Sequence, residues 1–231
     1  MSEIHDIKRR LAAVAQTRQI TNAMYLLSST RMRREAERAN YAKEYFHRIR
    51  ATVKDIMEKS QGITHPYFEK RSGNRAAFLV IAGDKGLCGT YNTDVLKYAL
   101  KLIEEHPVHY IETVGRMATE FFIRRGIYPD AETLGAAHAP TLYAARDIVG
   151  NLLGLYENGL TDEVYIVFTH FDSSAASHPY CMRLLPLTLD GFEDVESSFT
   201  PASDMLYAPS PREVFDCLVP QCAVGLVFAA L

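Results

Sequence analysis

Residues 1–61, MSEIHDIKRRLAAVAQTRQITNAMYLLSSTRMRREAERANYAKEYFHRIRATVKDIMEKSQ, contain neither glycine nor proline, the two residues that most often interrupt a helix. The whole chain of 231 residues has 13 glycines and 10 prolines, and the first of them are Gly62 and Pro66. This stretch therefore predicts one unbroken helix. About 58 helical residues at ~1.5 Å each extend roughly 85 Å, more than a domain of this size can bury along its length. We expect the helix to project and to bind a partner.

Apolar residues recur along this helix at intervals of three and four, the spacing typical of a coiled coil. They form two stripes, Ile4, Ile7, Leu11 and Val14, and then Ala39, Ala42, Phe46, Ile49, Val53 and Ile56. Residues 16–30 lose this pattern and mix polar side chains with Ile20, Met24 and Leu27, which predicts contact with a second, more polar surface. The alternative is a helix folded back on its own domain, but uncapped helices much longer than ~25 residues favour a coiled coil.

Charge is divided unevenly between this helix and the rest of the chain. Residues 1–60 hold 13 Lys and Arg against 7 Asp and Glu, a balance of +6, and the remainder holds 12 against 21, a balance of −9. A basic helix on an acidic body suits nucleic acid, anionic lipid or an acidic protein surface, or it is an ordinary solvated face. Nucleic acid is the weaker choice, because no leucine zipper follows the basic cluster of residues 31–38.

The cysteines and the apolar runs indicate the compartment. Cys88, Cys181, Cys217 and Cys222 form no CxxC pair, and the N-terminal residues resemble no secretory signal. We expect reduced thiols in a cytosolic protein. No apolar run reaches the ~18 residues of a membrane span, so any membrane association is expected to be indirect.

The remainder of the chain alternates predicted strands and helices, which predicts an α/β domain with a mainly parallel sheet. The predicted elements are a buried strand at 76–82, a helix capped by Asn92 or Thr93 and ending near Glu105, a strand at 108–114, a helix at 116–125 ended by Gly126, a helix at 141–157, and strands at 163–168 and 182–189. Ser210 and Pro211 suit the start of a final helix, which Pro220 is expected to kink or split. We therefore divide the chain into a helix at 1–61, an α/β domain at 62–209, and the start of a C-terminal helix at 210–231.

Residues 83–89, GDKGLCG, follow a strand and precede a helix, the position of many phosphate-binding loops. No Lys-Ser or Lys-Thr follows the last glycine, so a tight turn held by glycines in unusual conformations is the favoured interpretation. Two histidine groupings, His106 with His109 and His170 with Asp172 and His178, lack further ligands at a consistent spacing. No nucleophile elbow is present. We predict no catalytic residue, no cofactor and no metal site.

Three stretches together resemble the gamma subunit of F-type ATP synthase, and the resemblance covers nearly the whole chain. They are IKRR at 7–10 with TRQITNAM at 17–24, GDKGLCG at 83–89 with Tyr91 and Asn92, and Leu206 and Tyr207 with PSP at 209–211. LLPL at 184–187 also fits the last strand of that family.

The resemblance implies a rotor shaft. In that family the N-terminal and C-terminal helices form an antiparallel coiled coil inside the ring of alpha and beta subunits, and the α/β domain contacts the epsilon subunit and the ring of membrane c subunits. Rotation of the shaft changes the catalytic beta sites in turn, so that the subunit couples ion flow to ATP synthesis or hydrolysis without catalysing either. The implied location is peripheral, on the cytoplasmic face of the bacterial inner membrane, with no nucleic acid bound.

The resemblance also implies which residues contact other subunits. On the helix they are Arg9, Arg10, Gln19, Ile20, Met24, Leu27, Arg31, Arg33 and Arg34, and near the foot they are Lys85, Gly86, Leu87, Cys88, Gly89 and Tyr207.

The chain also departs from the family. Its C-terminal helix is shorter and more apolar, with Gly225 inside it, and Tyr25 and Thr90 stand where a charged residue and glycine are expected. We expect a truncated form rather than a naturally short relative. The alternative function is a nucleotide-binding α/β enzyme with a coiled-coil oligomerisation arm, and a third is a coiled-coil adaptor or nucleic-acid binder.

Overall fold

The computed structural model describes the backbone of residues 2–59, 65–173, 176–192, 208 and 210–231, and within these ranges it leaves the side chains of residues 2, 38–43, 59, 172, 173, 190 and 211 undescribed. The chain forms two compact units, Met1–Tyr45 and Phe46–Leu231. The three-part division at residues 61 and 209 stays a prediction.

The first element, α1, is a single helix at Ser2–Lys59, as the absence of glycine and proline predicts. In its polar central stretch, hydroxyl groups bond within the helix. Thr17, Thr21, Ser29 and Thr30 each donate to the carbonyl oxygen four residues earlier, at 2.6–2.9 Å. These side chains therefore need no tertiary partner to be satisfied.

The second unit contains a five-stranded sheet, and its mainly parallel character confirms the predicted fold class. The strands are β1 (Arg75–Ile81), β2 (Val108–Val114), β3 (Ala131–Thr133), β4 (Glu163–Ser173) and β5 (Ala176–Leu185). Their order is β3-β2-β1-β4-β5, and every pairing is parallel except that of β4 with β5. The helices are α2 (Tyr91–Glu104), α3 (Arg116–Ile123), α4 (Leu142–Glu157) and α5 (Pro211–Ala230).

The strand predictions are least accurate at the sheet edges. The last strand, predicted at 182–189, lies at Ala176–Leu185, β4 extends beyond the predicted Phe168, and the three-residue β3 has no counterpart in the prediction. Edge strands are partly solvated, so polar residues and even Pro179 are tolerated there and the apolar pattern is weak.

Helix starts are predicted with mixed success. Ser210 is the N-cap of α5, and its hydroxyl accepts from the Glu213 amide at 3.2 Å. The prediction for α2 is wrong, since Thr90 occupies the N-cap position without a side-chain cap bond. Pro220 does not split α5, which runs as one helix through it.

Two apolar cores lie on opposite faces of the sheet. One contains residues of α2 and α3. The other contains residues of α4 and α5 together with Ile49, Val53 and Ile56 of α1. Within the second unit the end of α1 therefore belongs to the same core as α4 and α5.

Phe46 and α5 meet closely at Gly225. A Cβ atom added at Gly225 would overlap the Phe46 ring, and the Phe46 and Phe228 ring centroids lie 6.5 Å apart. Glycine inside α5, which departs from the family pattern, is therefore required by the packing of this aromatic side chain.

The expectation that no segment is apolar enough to span a membrane needs correction. By length and composition, Arg212–Ala230 of α5 passes such a test, with a mean hydropathy of 1.5 over its most apolar window. That window is 39% buried inside the protein. Part of this apolar composition is used for packing in the second unit, since Phe215, Val219 and Val227 belong to its core.

Candidate interaction surfaces on the long helix and the Gly83 loop

The predicted contact residues of α1 all have exposed side chains. These residues are Arg9, Arg10, Gln19, Ile20, Met24, Leu27, Arg31, Arg33 and Arg34. The three apolar ones, Ile20, Met24 and Leu27, are 55%, 52% and 64% exposed. Water-exposed apolar side chains beside guanidinium groups form a mixed surface suited to a protein partner.

The first apolar stripe of α1 is exposed as well. Ile4, Ile7, Leu11 and Val14 are all large, exposed hydrophobic residues that share one side of the helix. Such a stripe gains stability only when another apolar surface covers it. It is a second candidate contact surface in the first unit.

The loop between β1 and α2 is organised around the buried side chain of Asn92. Its Oδ1 accepts from the Gly83 amide at 2.8 Å, and its Nδ2 donates to the Lys85 carbonyl at 3.1 Å and to Cys88 Sγ at 3.1 Å. The sequence suggests Asn92 as a helix cap, whereas it holds the preceding loop. The Gly83 amide is thereby used within the protein, unlike the amides of a phosphate-binding loop, which point at their ligand.

Within this loop, the unusual backbone conformation falls partly on a residue other than glycine. Gly89 has a φ of 62°, as predicted for a glycine-held turn, but Leu87 also has a positive φ of 65°. Leu87 is 100% exposed. A left-handed conformation costs an ordinary residue roughly 1–2 kcal/mol, so the loop holds an apolar side chain in water at an energetic cost. Lys85, Gly86, Cys88 and Gly89 are also exposed or half-exposed.

The same loop is tied to the start of α3. The Arg116 amide donates to Asp84 Oδ1 at 3.1 Å, and the Arg116 guanidinium donates to the Asp84 carbonyl at 3.3 Å. Gly115, with a φ of 89°, lies against the Ala82 carbonyl, where a side chain would collide. Sequence reasoning misses Asp84 and Gly115 as supports of the loop. Their contacts join residues 82–84 to the end of β2 and the start of α3, about 30 residues later in the chain.

A second feature that sequence reasoning misses attaches α5 to the body. His65 Nε2 lies 2.6 Å from Asp216 Oδ1, and His65 Nδ1 accepts from the Tyr67 amide at 3.2 Å. Because Nδ1 is the acceptor, Nε2 carries the proton that is donated to Asp216. The buried imidazole is surrounded by the rings of Tyr67, Phe68 and Phe215.

The residues that follow His65 bond to α4 and to the loop after it. The Tyr67 hydroxyl donates to Glu157, and burial together with this carboxylate raises the pKa of Tyr67. Arg71 donates to the carbonyls of Tyr156 and Thr161 at 2.6 and 2.9 Å and lies over the Tyr156 ring. The segment 65–71 therefore joins α4 to α5.

Further titratable groups lie outside these contacts. Among the residues that the structure describes, no group of three or more His, Cys, Asp and Glu could hold a metal ion. His106 Nδ1 donates to the Leu102 carbonyl at 2.9 Å, and burial raises the pKa of the Cys181 and Cys222 thiols to about 11 and about 12. Tyr207, the remaining predicted contact residue, lies outside the described residues.

Comparisons of this chain with known proteins identify its family. A family model described as ATP synthase matches residues 3–231. The ATP synthase gamma chain of Caldanaerobacter subterraneus subsp. tengcongensis is 35% identical, with 98% of this chain and 80% of that protein covered. The sodium ion specific ATP synthase gamma chain of Acetobacterium woodii is 31% identical over 99% of this chain and 80% of that protein.

A solved structure shares the fold. The central stalk and c-ring structure of the Tetrahymena thermophila mitochondrial ATP synthase contains a chain that matches with a TM-score of 0.66 and 16% identity. The match covers 91% of this chain and 90% of that one.

Proposed function

The chain belongs to the ATP synthase gamma chain family, which makes it a non-catalytic central-stalk subunit of a membrane-associated complex, and we propose how its surfaces contact the rest of that complex. The observation that carries the proposal is the exposed, basic, partly apolar surface of α1. This surface contacts the alpha and beta subunits of the catalytic head.

Weak contacts suit a surface that must turn. Exposed ion pairs between the arginines of α1 and acidic loops of the beta subunits contribute ~0.2–1 kcal/mol each. The Arg9–Asp6 pair at 3.5 Å, with both side chains largely exposed, is an example within α1 itself. Contacts of this size attract the partner subunits without locking the shaft in one position.

The Gly83 loop is the proposed contact with the epsilon subunit and the c-subunit ring. Leu87 is its apolar contact residue and Lys85 supplies a positive charge, while Asn92 holds the backbone in place from inside. Cys88, Gly86 and Gly89 complete this surface, and Tyr207 is proposed to contact the same partners. Through them the chain is held peripherally at the cytoplasmic face of the bacterial inner membrane.

Co-purification tests the proposed partners. A tagged chain expressed with the alpha, beta, epsilon and c subunits of its own organism is expected to recover all four, and ATP hydrolysis by the complex is expected to rotate it. Recovery of the chain without alpha and beta, or ATP turnover by the isolated chain, would contradict the proposal.

Two sets of substitutions assign the surfaces. Replacing Arg31, Arg33 and Arg34 with Gln is expected to weaken recovery of alpha and beta at low salt and to have little effect at high salt, because salt already screens these exposed ion pairs in the parent chain. The charge-matched control replaces Arg124, Arg125 and Arg146 with Gln, since these arginines are exposed and lie outside both proposed surfaces. Leu87→Ser is expected to reduce recovery of epsilon and c subunits alone, with Leu160→Ser, another exposed leucine, as control. Equal losses in variant and control would remove the assignment.

The nucleotide-binding enzyme is not favoured. Its loop would need free amides, and the Gly83 amide is bonded to Asn92. Titration with magnesium and ATP is expected to show no tight binding at this loop.

A further inference from the structure

Two histidines that are eight residues apart in the chain lie side by side in the β4–β5 hairpin. His170 and His178 are directly opposite each other in the antiparallel register, so their side chains leave the same face of the sheet. Their ring centroids are 5.5 Å apart, and the ring planes are inclined by 53°. Sequence reasoning notes both residues but finds no third or fourth ligand at a consistent spacing.

The separation of the two rings suits a shared metal ion. Imidazole nitrogens bind Zn²⁺ at about 2.0–2.1 Å, which places the centroids of two rings on one tetrahedral ion roughly 5 Å apart. The observed 5.5 Å lies close to this value, so the two rings have the separation that two ligands of one ion require. Both histidines are exposed, so that an ion can enter from solvent.

Neighbouring aromatic side chains limit the motion of the two rings. Phe168 and Tyr180 form the next pair on the same face, with ring centroids 5.7 Å apart. Tyr180 lies 5.8 Å from the His170 ring and 6.3 Å from the His178 ring, and Phe168 lies 6.3 Å from the His170 ring. An apolar neighbour of this kind orients metal-binding side chains and reduces the entropy lost on binding.

We propose that His170 and His178 form a two-histidine binding site for a divalent transition metal ion such as Zn²⁺, with water completing the coordination. Imidazole favours zinc, copper and nickel over magnesium and calcium. Two protein ligands define an exchangeable site of moderate affinity rather than a permanent structural one. A bound ion links β4 to β5 near the end of the hairpin and stabilises the folded hairpin by mass action.

The test is a titration of the full chain with Zn²⁺, followed by NMR of the histidine ring protons and by calorimetry. The expected result is one bound ion per chain, with the largest ring shifts at His170 and His178. His170→Gln and His178→Gln are each expected to weaken this binding at least tenfold. His109→Gln, which removes an exposed histidine from β2, is expected to leave it unchanged.

The exposed thiols of Cys88 and Cys217 are the competing ligands. The variant with both replaced by Ser is therefore expected to retain the histidine shifts and the affinity. The proposal is overturned if either His→Gln variant binds as tightly as the parent chain, or if loss of the thiols abolishes binding. Circular dichroism of each variant checks that the fold is retained.

Discussion

Glu112 is a carboxyl group whose protonation is altered by the fold. It lies in β2 and is 1% exposed, and its Oε2 has no hydrogen-bond partner among the described residues. Burial raises its pKa from 4.5 to about 7, although a hydrogen bond from Asn151 opposes part of this rise. A carboxyl group in this position is more easily buried neutral than charged.

The pKa of Glu112 predicts how stability depends on pH. Because the folded state holds the proton more tightly than the unfolded state, the free energy of unfolding falls as pH rises from about 4.5 to about 7. The expected loss is about 3 kcal/mol, because each tenfold difference in proton affinity between the two states corresponds to ~1.4 kcal/mol. Below pH 4.5 this group contributes no pH dependence, since it is protonated in both states.

Urea denaturation at about pH 5 and about pH 8, on either side of the folded-state pKa, measures this effect. Glu112→Gln is expected to remove most of the loss and to be the more stable form at the higher pH. Glu132→Gln, on the exposed side of β3, serves as control and should behave as the parent chain. An unchanged pH dependence in Glu112→Gln would show that another group is responsible.

Asn92 carries the second prediction at the residue scale. Asn92→Ala removes the side-chain bonds to Gly83, Lys85 and Cys88 and is expected to destabilise the protein by about 1–3 kcal/mol. Hydrogen exchange of the Gly83–Gly89 amides should speed up, because the loop loses its support. Exposed Thr93→Ala is the control, and equal protection in both variants would argue against the role of Asn92.

At the scale of elements, the attachment of α5 to the body depends on His65 and Asp216. Asp216→Ala leaves the buried His65 Nε2 proton without its acceptor, so we expect a loss of about 1–2 kcal/mol in the free energy of unfolding. The neighbouring exposed Arg212→Ala should cost much less. Chemical denaturation measures the loss of stability, and hydrogen exchange of the α5 amides shows whether this helix is loosened. Equal effects of the two substitutions would contradict the proposed role of Asp216.

The contact between α1 and α5 at Gly225 predicts that a Gly→Ala substitution, which usually stabilises a helix, destabilises the protein at this position. Alanine usually stabilises a helix relative to glycine by about 0.5–1 kcal/mol, and this is expected for Gly150→Ala in α4, where a Cβ meets open space. Gly225→Ala is instead expected to destabilise by about 1–3 kcal/mol, because the new Cβ overlaps the Phe46 ring. Adding Phe46→Leu should restore part of the loss in a double-mutant cycle, and additive effects would disprove the contact.

At the scale of the whole molecule, the chain combines a compact α/β body with an apolar stripe on its first unit that is exposed to water. Ile4, Ile7, Leu11 and Val14 are expected to cause concentration-dependent self-association of the isolated chain. Leu11→Lys with Val14→Lys should reduce it, whereas the matched exposed pair Leu134→Lys with Leu160→Lys should not. Analytical ultracentrifugation that finds the parent chain monomeric at all concentrations would refute this expectation.

The sequence predicts a helix reliably where one local feature determines it. The absence of glycine and proline predicts α1, and Ser210 followed by Pro211 predicts the start of α5. The hairpin of β4 and β5 is predicted poorly. Its edge strand, β5, is largely exposed to solvent, so its sequence lacks the apolar alternation that marks a buried strand. Of the two effects expected of Pro220, a kink or a split, the split does not occur, since α5 runs as one helix through this residue.

The order of residues alone determined the long helix, the fold class and the family, because helix continuity, apolar periodicity and motif spacing are properties of the chain itself. Only the tertiary structure decided that Asn92 supports a loop, that His65 meets Asp216, and that His170 faces His178. The contact of His65 joins segments that are distant in sequence, and that of His170 depends on strand register. Burial and register arise when the chain is packed, so no local pattern could have specified them.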